Sequence, residues 1–243
     1  MRMLTFANRN FKEIMRDPLN LSFMFGFPVV LLLLLSAIQA NIPISLFEIQ
    51  HLAPGVAVFG LAFMTLFSAT LIAKDRQSSF MHRLYTTPMR SVDFILGYTL
   101  PLLPIAIIEG VACYVLAVLL GLDITSGILL AILFLIPVAL LYIGIGLLAG
   151  SVLNDKQVGG ICGALLTNLS AWLSGIWFDL DLVGGAFKKI AYLLPFVHCV
   201  EMERAAIIGD FSAVFSHLWW VLGYSAVIIA LAVFLFLRQM KKN

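Results

Sequence analysis

An all-α integral membrane protein with six transmembrane helices is the fold class the sequence predicts, on three observations. Hydrophobic residues make up 62% of the 243 positions and charged residues 12%, against roughly half and a quarter in soluble domains. The apolar residues fall in blocks of about 20, the number that crosses ~30 Å of hydrocarbon. Basic residues gather in alternate connections between those blocks, following the bias of Lys and Arg toward cytoplasmic loops. A water-soluble fold would have no polar surface left to build from.

The first element, residues 1–18, reads as an amphipathic helix lying in the membrane interface. Leu4, Ala7, Phe11, Ile14 and Met15 fall on one helical face, and Arg9, Lys12, Glu13 and Arg16 on the other. Its basic side meets anionic headgroups, its apolar side dips below them, and Pro18 breaks the chain before it enters the bilayer. Arg9, Phe11, Lys12 and Arg16 are the candidate residues of this surface. A basic stretch before an apolar run imitates a secretory signal. Here the run after Pro18 has the length of a span and no small-x-small cleavage site follows it, so it reads as a retained first helix.

Six spans follow, at about 19–40, 53–73, 94–120, 128–150, 158–178 and 218–237, in one transmembrane domain covering 1–243. Segment 179–217 carries Lys188, Lys189, Glu201, Glu203, Arg204 and Asp210, with Pro195 near its middle. It offers no clean run of 20 apolar residues and is expected to form short external re-entrant helices. With six spans and both termini cytosolic, twelve of the fifteen Lys and Arg residues lie inside; only Lys188, Lys189 and Arg204 lie outside. The outer side collects Glu48, Asp123, Asp179, Asp181, Glu201, Glu203 and Asp210. Trp177-Phe178 and Trp219-Trp220 sit at the outer interface.

Several function classes are excluded. A net charge of +2 without a basic stripe argues against nucleic acid. Cys113, Cys162 and Cys199 have no C-x-x-C spacing and form neither a disulfide framework nor a zinc site. There is no H-E-x-x-H, no G-x-S-x-G and no pair of intramembrane aspartates, so no catalytic residue is assigned. His198, Glu201 and Glu203 do not complete a metal shell. Without G-x-x-x-x-G-K-[ST], the chain has no P-loop for ATP. Glu109, the acid deep in the third block, is a pathway candidate because a carboxyl there is costly. Its structural alternative is a neutral acid bonded to a hydroxyl such as Thr65, Ser68, Thr70 or Thr167. Gly146 and Gly150, and Gly159 and Gly163, have small-x-x-x-small spacing that lets helices approach, within the bundle or across a dimer.

The connection between the second and third spans holds the clearest docking element. Phe80, Met81 and Leu84 form a short apolar face among basic residues, and Thr87-Pro88 stops the helix. Such a helix either docks on a partner or lies on headgroups.

Arg76-x-x-Ser79-x-x-x-Arg83-Leu84, followed by Thr87-Pro88 and Leu96-Gly97, resembles the loop after the second span in ABC-2 type permeases. These are the membrane subunits of bacterial ATP-binding cassette exporters. Pro195-Phe196-Val197-His198, with Arg204 six residues on, is similar to that family's C-terminal signature, here Pro195, His198, Glu201 and Arg204. Arg16-Asp17-Pro18 and the six-span plan extend the likeness over nearly the whole chain, in a drug-export-like, multidrug-resistance branch. Ser79, where many members have Gly, and Tyr98, where a basic residue is common, depart from the pattern.

The resemblance implies a permease in the bacterial cytoplasmic membrane, paired with a second permease chain as homodimer or heterodimer. Separate ATPase subunits would bind ATP and Mg, so this chain holds no cofactor and is not itself an enzyme. The loop helix would act as the coupling helix, with Phe80, Met81, Arg83, Leu84, Tyr85, Thr87 and Pro88 as ATPase-coupling residues. Short external loops and aromatic-rich spans lean toward a small hydrophobic compound, peptide or lipid as cargo. The alternatives are a proton-coupled secondary transporter using Glu109, or a non-transporting scaffold or immunity protein.

Overall fold

The computed structural model describes residues 2–78 and 91–240, and all regular structure among them is helical. The amphipathic start forms α1 (Arg2–Met15) and the chain then breaks at Arg16-Asp17. Asp17 caps α2 (Pro18–Gln39): its carboxylate accepts from the Asn20 amide at 3.2 Å, and Pro18 opens the helix where its missing N–H costs nothing. Next come α3 (Ile49–Gln77), α4 (Ser91–Leu119) and α5 (Ser126–Val152). α6 (Asp155–Val158), a π-helical stretch (Gly159–Leu166) and α7 (Thr167–Leu173) follow one another. Three shorter helices, α8 (Leu180–Val183), α9 (Gly185–Leu193) and α10 (Pro195–Ile208), lead to the long α11 (Phe211–Met240).

Among the described residues five helices, α2, α3, α4, α5 and α11, are long and apolar enough to cross a membrane. The apolar block expected at 158–178 is not one long α-helix. Its three pieces keep right-handed helical backbone at both junctions, so the path runs unbroken from Asp155 to Leu173. Gly159, Gly160 and Gly163 give this stretch little side-chain packing to hold a tight α-helix. The Thr167 hydroxyl donates to the Cys162 carbonyl five residues back, matching the wider π spacing. The last helix starts at Phe211, seven residues before the expected 218, because Gly209 ends α10 in the left-handed region (φ 78°) and Asp210 caps α11 through the Ala213 amide.

α3 is buried over most of its length and is the axis of the bundle, packed on α4, α5, α10 and the π stretch. Its closest partner is α5, and glycine is the reason. A Cβ on Gly146 would stand 1.7 Å from Ser68 Oγ and 2.5 Å from the Thr65 carbonyl; one on Gly150 would stand 2.6 Å from the Ala69 carbonyl. At that spacing the Thr65 hydroxyl donates to the Tyr142 carbonyl (2.8 Å), and the Ser68 hydroxyl reaches the Ile143 carbonyl (3.2 Å). This glycine pair therefore packs the bundle internally, whereas Gly159 faces open space. Gly146→Ala is expected to lower stability by about 1–3 kcal/mol through overpacking against backbone, read as a lower unfolding midpoint of the detergent-solubilised chain.

α2 and α11 bury little of their length inside the chain and turn Phe23, Leu34, Trp219 and Phe234 outward. In hydrocarbon such a surface carries no penalty.

Candidate functional site

Among the described residues three polar centres interrupt the apolar bundle: one at the end bearing α1, one in the interior and one at the far end.

At the α1 end, Asp75 in the last turn of α3 is 2% exposed and joins three elements. Arg9 of α1 donates to its Oδ2 at 2.7 Å, and Tyr98 of α4 donates to the same oxygen at 2.9 Å. Asn10 is fully buried beside this junction and donates to the Gly97 carbonyl at 3.0 Å. Phe6 packs edge-on to Phe94 (5.9 Å) and Tyr98 (5.0 Å). Gly97 admits that ring, since a Cβ there would lie 2.2 Å from it. Arg9 also pairs with Glu13 at 2.6 Å. Burial works against the Arg9 charge, but the hydrogen bond and charge of Asp75 outweigh it and hold the guanidinium above its ordinary value. Next to Asp75, Arg76 donates to the Gly150 carbonyl (2.8 Å) and the Leu153 carbonyl (3.3 Å), closing the C-terminal end of α5. Two consecutive residues thus fasten the end of α3 to α1, α4 and α5.

The hub brackets the segment 79–90, since Asp75 and Arg76 precede it and Gly97 and Tyr98 follow. The expected coupling residues Phe80, Met81, Arg83, Leu84, Tyr85, Thr87 and Pro88 lie outside the described residues. Of the surface-helix candidates, Arg9 belongs to the hub. Lys12 and Arg16 line an open groove of about 570 Å³ with Thr5, Asn8, Arg9 and Glu13, and Phe11 is exposed on another side of the helix.

In the interior Glu109 of α4 is 1% exposed. Its carboxyl lies against Gly60 of α3, so close that a Cβ there would meet Oε1 at 1.9 Å, with Pro28 of α2 alongside. The hydroxyls of Thr65, Ser68 and Thr167 donate to backbone carbonyls; the partner of Glu109 is the Cys113 thiol, 3.2 Å from Oε1. Glu203, expected among the external acids, instead points inward from α10 at 0% exposure and accepts from Tyr114 of α4 at 2.9 Å.

At the far end Pro195 opens α10 and places His198, Glu201 and Arg204 on its first three turns. His198 stacks on Trp220 (4.9 Å between centroids, 5° between planes). Its Nε2 lies 3.0 Å from the Tyr192 carbonyl and its Nδ1 2.9 Å from His217 Nδ1. The carbonyl only accepts, so Nε2 carries the proton, Nδ1 accepts, and His217 donates. Burial lowers His198 below the usual histidine range, which keeps this neutral arrangement near neutral pH. Arg204 pairs with Glu201 (2.7 Å) and donates to the carbonyls of Gly175 (3.0 Å) and His51 (3.3 Å). These bonds tie α10 to α3 and to the turn after α7, beside a cavity of about 670 Å³ lined partly by Trp177, Asp179, Tyr192 and Glu201.

Sequence reasoning missed Asp75, Tyr98, Tyr114, His217 and Trp220 as site residues. Tyr98 carried a usable signal, since a tyrosine where the family commonly has a basic residue answers an acid elsewhere.

The model of the family described as "ABC-2 type transporter" matches residues 1–208. Among curated proteins the chain is similar to the capsule polysaccharide export inner-membrane protein CtrC of Neisseria meningitidis serogroup A, with 25% identity over 151 residues. That alignment covers 62% of this chain and 57% of the relative, so the chain spans little more than half the length of the protein it matches.

Proposed function

From the membership of this chain in the ABC-2 type transporter family, as a multi-pass membrane subunit, we propose that it is the permease of an ABC exporter and is driven by separate ATPase subunits. Two permease chains, identical or different, enclose the path, and the cytoplasmic membrane holds them with both termini in the cytosol. ATP and Mg bind to the partner, because this sequence carries no P-loop.

The observation that carries the reading is the hub at the α1 end. A force applied to the 79–90 segment enters the bundle through Asp75 and Arg76 on one side and Gly97 and Tyr98 on the other. The same junction holds α1, through Arg9 on the Asp75 carboxylate and Asn10 on the Gly97 carbonyl. The segment proposed to couple, about Ser78 to Tyr85, follows directly on residues bonded to α1, α4 and α5. Closure of the ATPase dimer pushes these together and shifts the spans around the path.

The six-span plan is retained with the run Asp155–Leu173 as the fifth span. It is nineteen residues long, within the range of about 17–25 that spans a bilayer, although its eight π-helical residues make it somewhat shorter than the roughly 28 Å of an α-helix of that length. α8, α9 and α10 then form the external re-entrant cap, with Pro195, His198, Glu201 and Arg204 holding α10 in place. The cargo we assign is a small hydrophobic compound, peptide or lipid, in keeping with the apolar, aromatic-rich spans. Polysaccharide is the second reading, favoured by the name of the N. meningitidis relative.

Proteoliposomes holding this chain and its ATP-binding cassette partner test the proposal. ATP turnover is expected to rise with the correct cargo, and a panel of lipids, hydrophobic peptides and glycans separates the cargo classes. Turnover that no cargo raises, with no export, identifies a scaffold instead.

A further inference from the structure

Two imidazoles meet where α10 and α11 pack on each other: His198 Nδ1 lies 2.9 Å from His217 Nδ1. His198 is 4% exposed, and His217 reaches the wall of the far-end cavity. On α11 the residues His217, Trp220 and Tyr224 follow the spacing that puts them on one helix face. All three hold the segment opposite, since Trp220 stacks on His198 and the Tyr224 hydroxyl donates to the Leu193 carbonyl of α9. Of the hydrogen bonds along this seam, only the one between the two rings depends on how many protons they carry.

A neutral imidazole has one donor and one acceptor nitrogen, whereas an imidazolium has two donors. With both rings neutral, His198 commits its Nε2 hydrogen to the Tyr192 carbonyl and accepts at Nδ1, so His217 carries its hydrogen on Nδ1. One added proton on His217 Nε2 leaves that bond in place and makes it charge-assisted. The second proton goes to His198 Nδ1. Two N–H groups and two positive charges then face each other across the 2.9 Å contact. The Trp220 face favours an imidazolium above it, but it does nothing for the repulsion between two of them.

We propose that His198 and His217 form an acid-released latch between α10 and α11, closed with up to one added proton on the pair and opened when both rings are charged. The latch is a property of this chain alone. Its effect on transport, a far-end cavity that loosens in acid, rests on the reading of α10 as part of an external cap.

Among the described residues the other titratable groups around the pair are engaged or turned elsewhere. Glu201, three residues beyond His198 on α10, is held by Arg204. Tyr192 of α9 stands edge-on to His198 at 6.0 Å, with Lys188 over its ring and paired to Asp181. On the remaining faces of α10, Tyr142 of α5 stacks on Phe196, Tyr114 of α4 bonds Glu203, and His51 of α3 offers its carbonyl to Arg204. Glu48 and Asp179 line the same cavity as His217, and Asp210 caps α11.

The sign follows from which state holds the protons. Burial lowers His198 first of all, and the Tyr192 bond and the Glu201 charge oppose it only in part. The packed state therefore binds fewer protons than the parted one. Packing is fully favoured above the ordinary histidine value of about 6.5 and weakens as pH falls through it toward the lowered value. The two rings titrate as a coupled pair, and opening belongs to the more acid of the two steps.

The test uses the purified full chain in lipid nanodiscs, without ATPase or cargo, so its outcome is separate from that of the exporter reading. Nitrogen-15 spectra of the histidine rings at about pH 8 are expected to contain one neutral ring with its hydrogen on Nδ1, absent in His217→Gln. Between about pH 7 and about pH 5 the unfolding midpoint of the wild type should fall. Glutamine at 217 keeps an amide hydrogen for a neutral His198 and, by turning, an oxygen for a charged one, so His217→Gln should remove most of that fall. His51→Gln should retain it. A wild-type spectrum without the Nδ1-protonated neutral ring overturns the latch even if the variant does not fold, and so does a fall that His217→Gln leaves unchanged.

Discussion

Asp75→Ala is expected to leave the chain inserted in the membrane and its ATPase partner active while export falls about tenfold, the factor that ~1.4 kcal/mol carries. The substitution removes the oxygen on which Arg9 and Tyr98 converge. The Tyr98 bond is buried, and its loss costs about 1–3 kcal/mol. The Arg9 pair contributes less, about 1 kcal/mol or below, because the Arg9 side chain is 36% exposed and water screens it. α1 then loses its polar tie to α3 while Phe6 still packs on α4. Asp75→Asn keeps an acceptor for Tyr98 and loses the charge, so it should fall between Ala and wild type. The measurement is cargo exported per ATP hydrolysed in proteoliposomes. An unchanged ratio in both variants means that the hub carries no force.

The second large effect is expected in the bracketed segment itself. Phe80→Asp with Leu84→Asp places two charges on the apolar face predicted to meet the ATPase, where burying an unpaired charge costs several kcal/mol. Export should drop to background, with membrane insertion unaltered and ATP turnover no longer answering to cargo. If the helix only lay on headgroups, the same pair would weaken its contact with lipid and leave cargo-stimulated turnover intact.

How much of this was legible in the sequence depends on the kind of contact involved. Periodicity located α1 because one helix face carries its own signal in Leu4, Ala7, Phe11 and Ile14. Blocks of apolar residues located α2 to α5 and α11, since length and hydropathy are local properties. The break at Arg16-Asp17-Pro18 and the start of α10 at Pro195 were also local, written in proline and capping chemistry.

The hub was not legible, because Asp75 stands between Lys74 and Arg76 and reads as one more solvated loop charge. Its partners, 66 residues before it and 23 after it, are known only once the helices are packed. Glu203 was misplaced for a related reason. It lies among Glu201, Arg204 and Asp210, and only the rotation of α10 separates the outward pair Glu201 and Arg204 from the inward Glu203. The split of the fifth apolar block was equally hidden, since Gly159, Gly160 and Gly163 are compatible with close packing or with a widened helix. Of the two glycine pairs, Gly146 and Gly150 press on the backbone of α3, whereas Gly163 meets only the Leu66 side chain and Gly159 faces open space.

A separate ATPase that drives this chain through the segment between α3 and α4 must lie against that segment. Cysteine placed at Leu84, in a chain with Cys113, Cys162 and Cys199 replaced by serine or alanine, can be cross-linked to a surface cysteine on the ATP-binding cassette subunit. A cross-link at position 84 that blocks ATP-driven export is expected, and none from a cysteine placed at Leu182 at the far end. Export that needs no ATPase subunit, persists without ATP and follows an imposed proton gradient would contradict it.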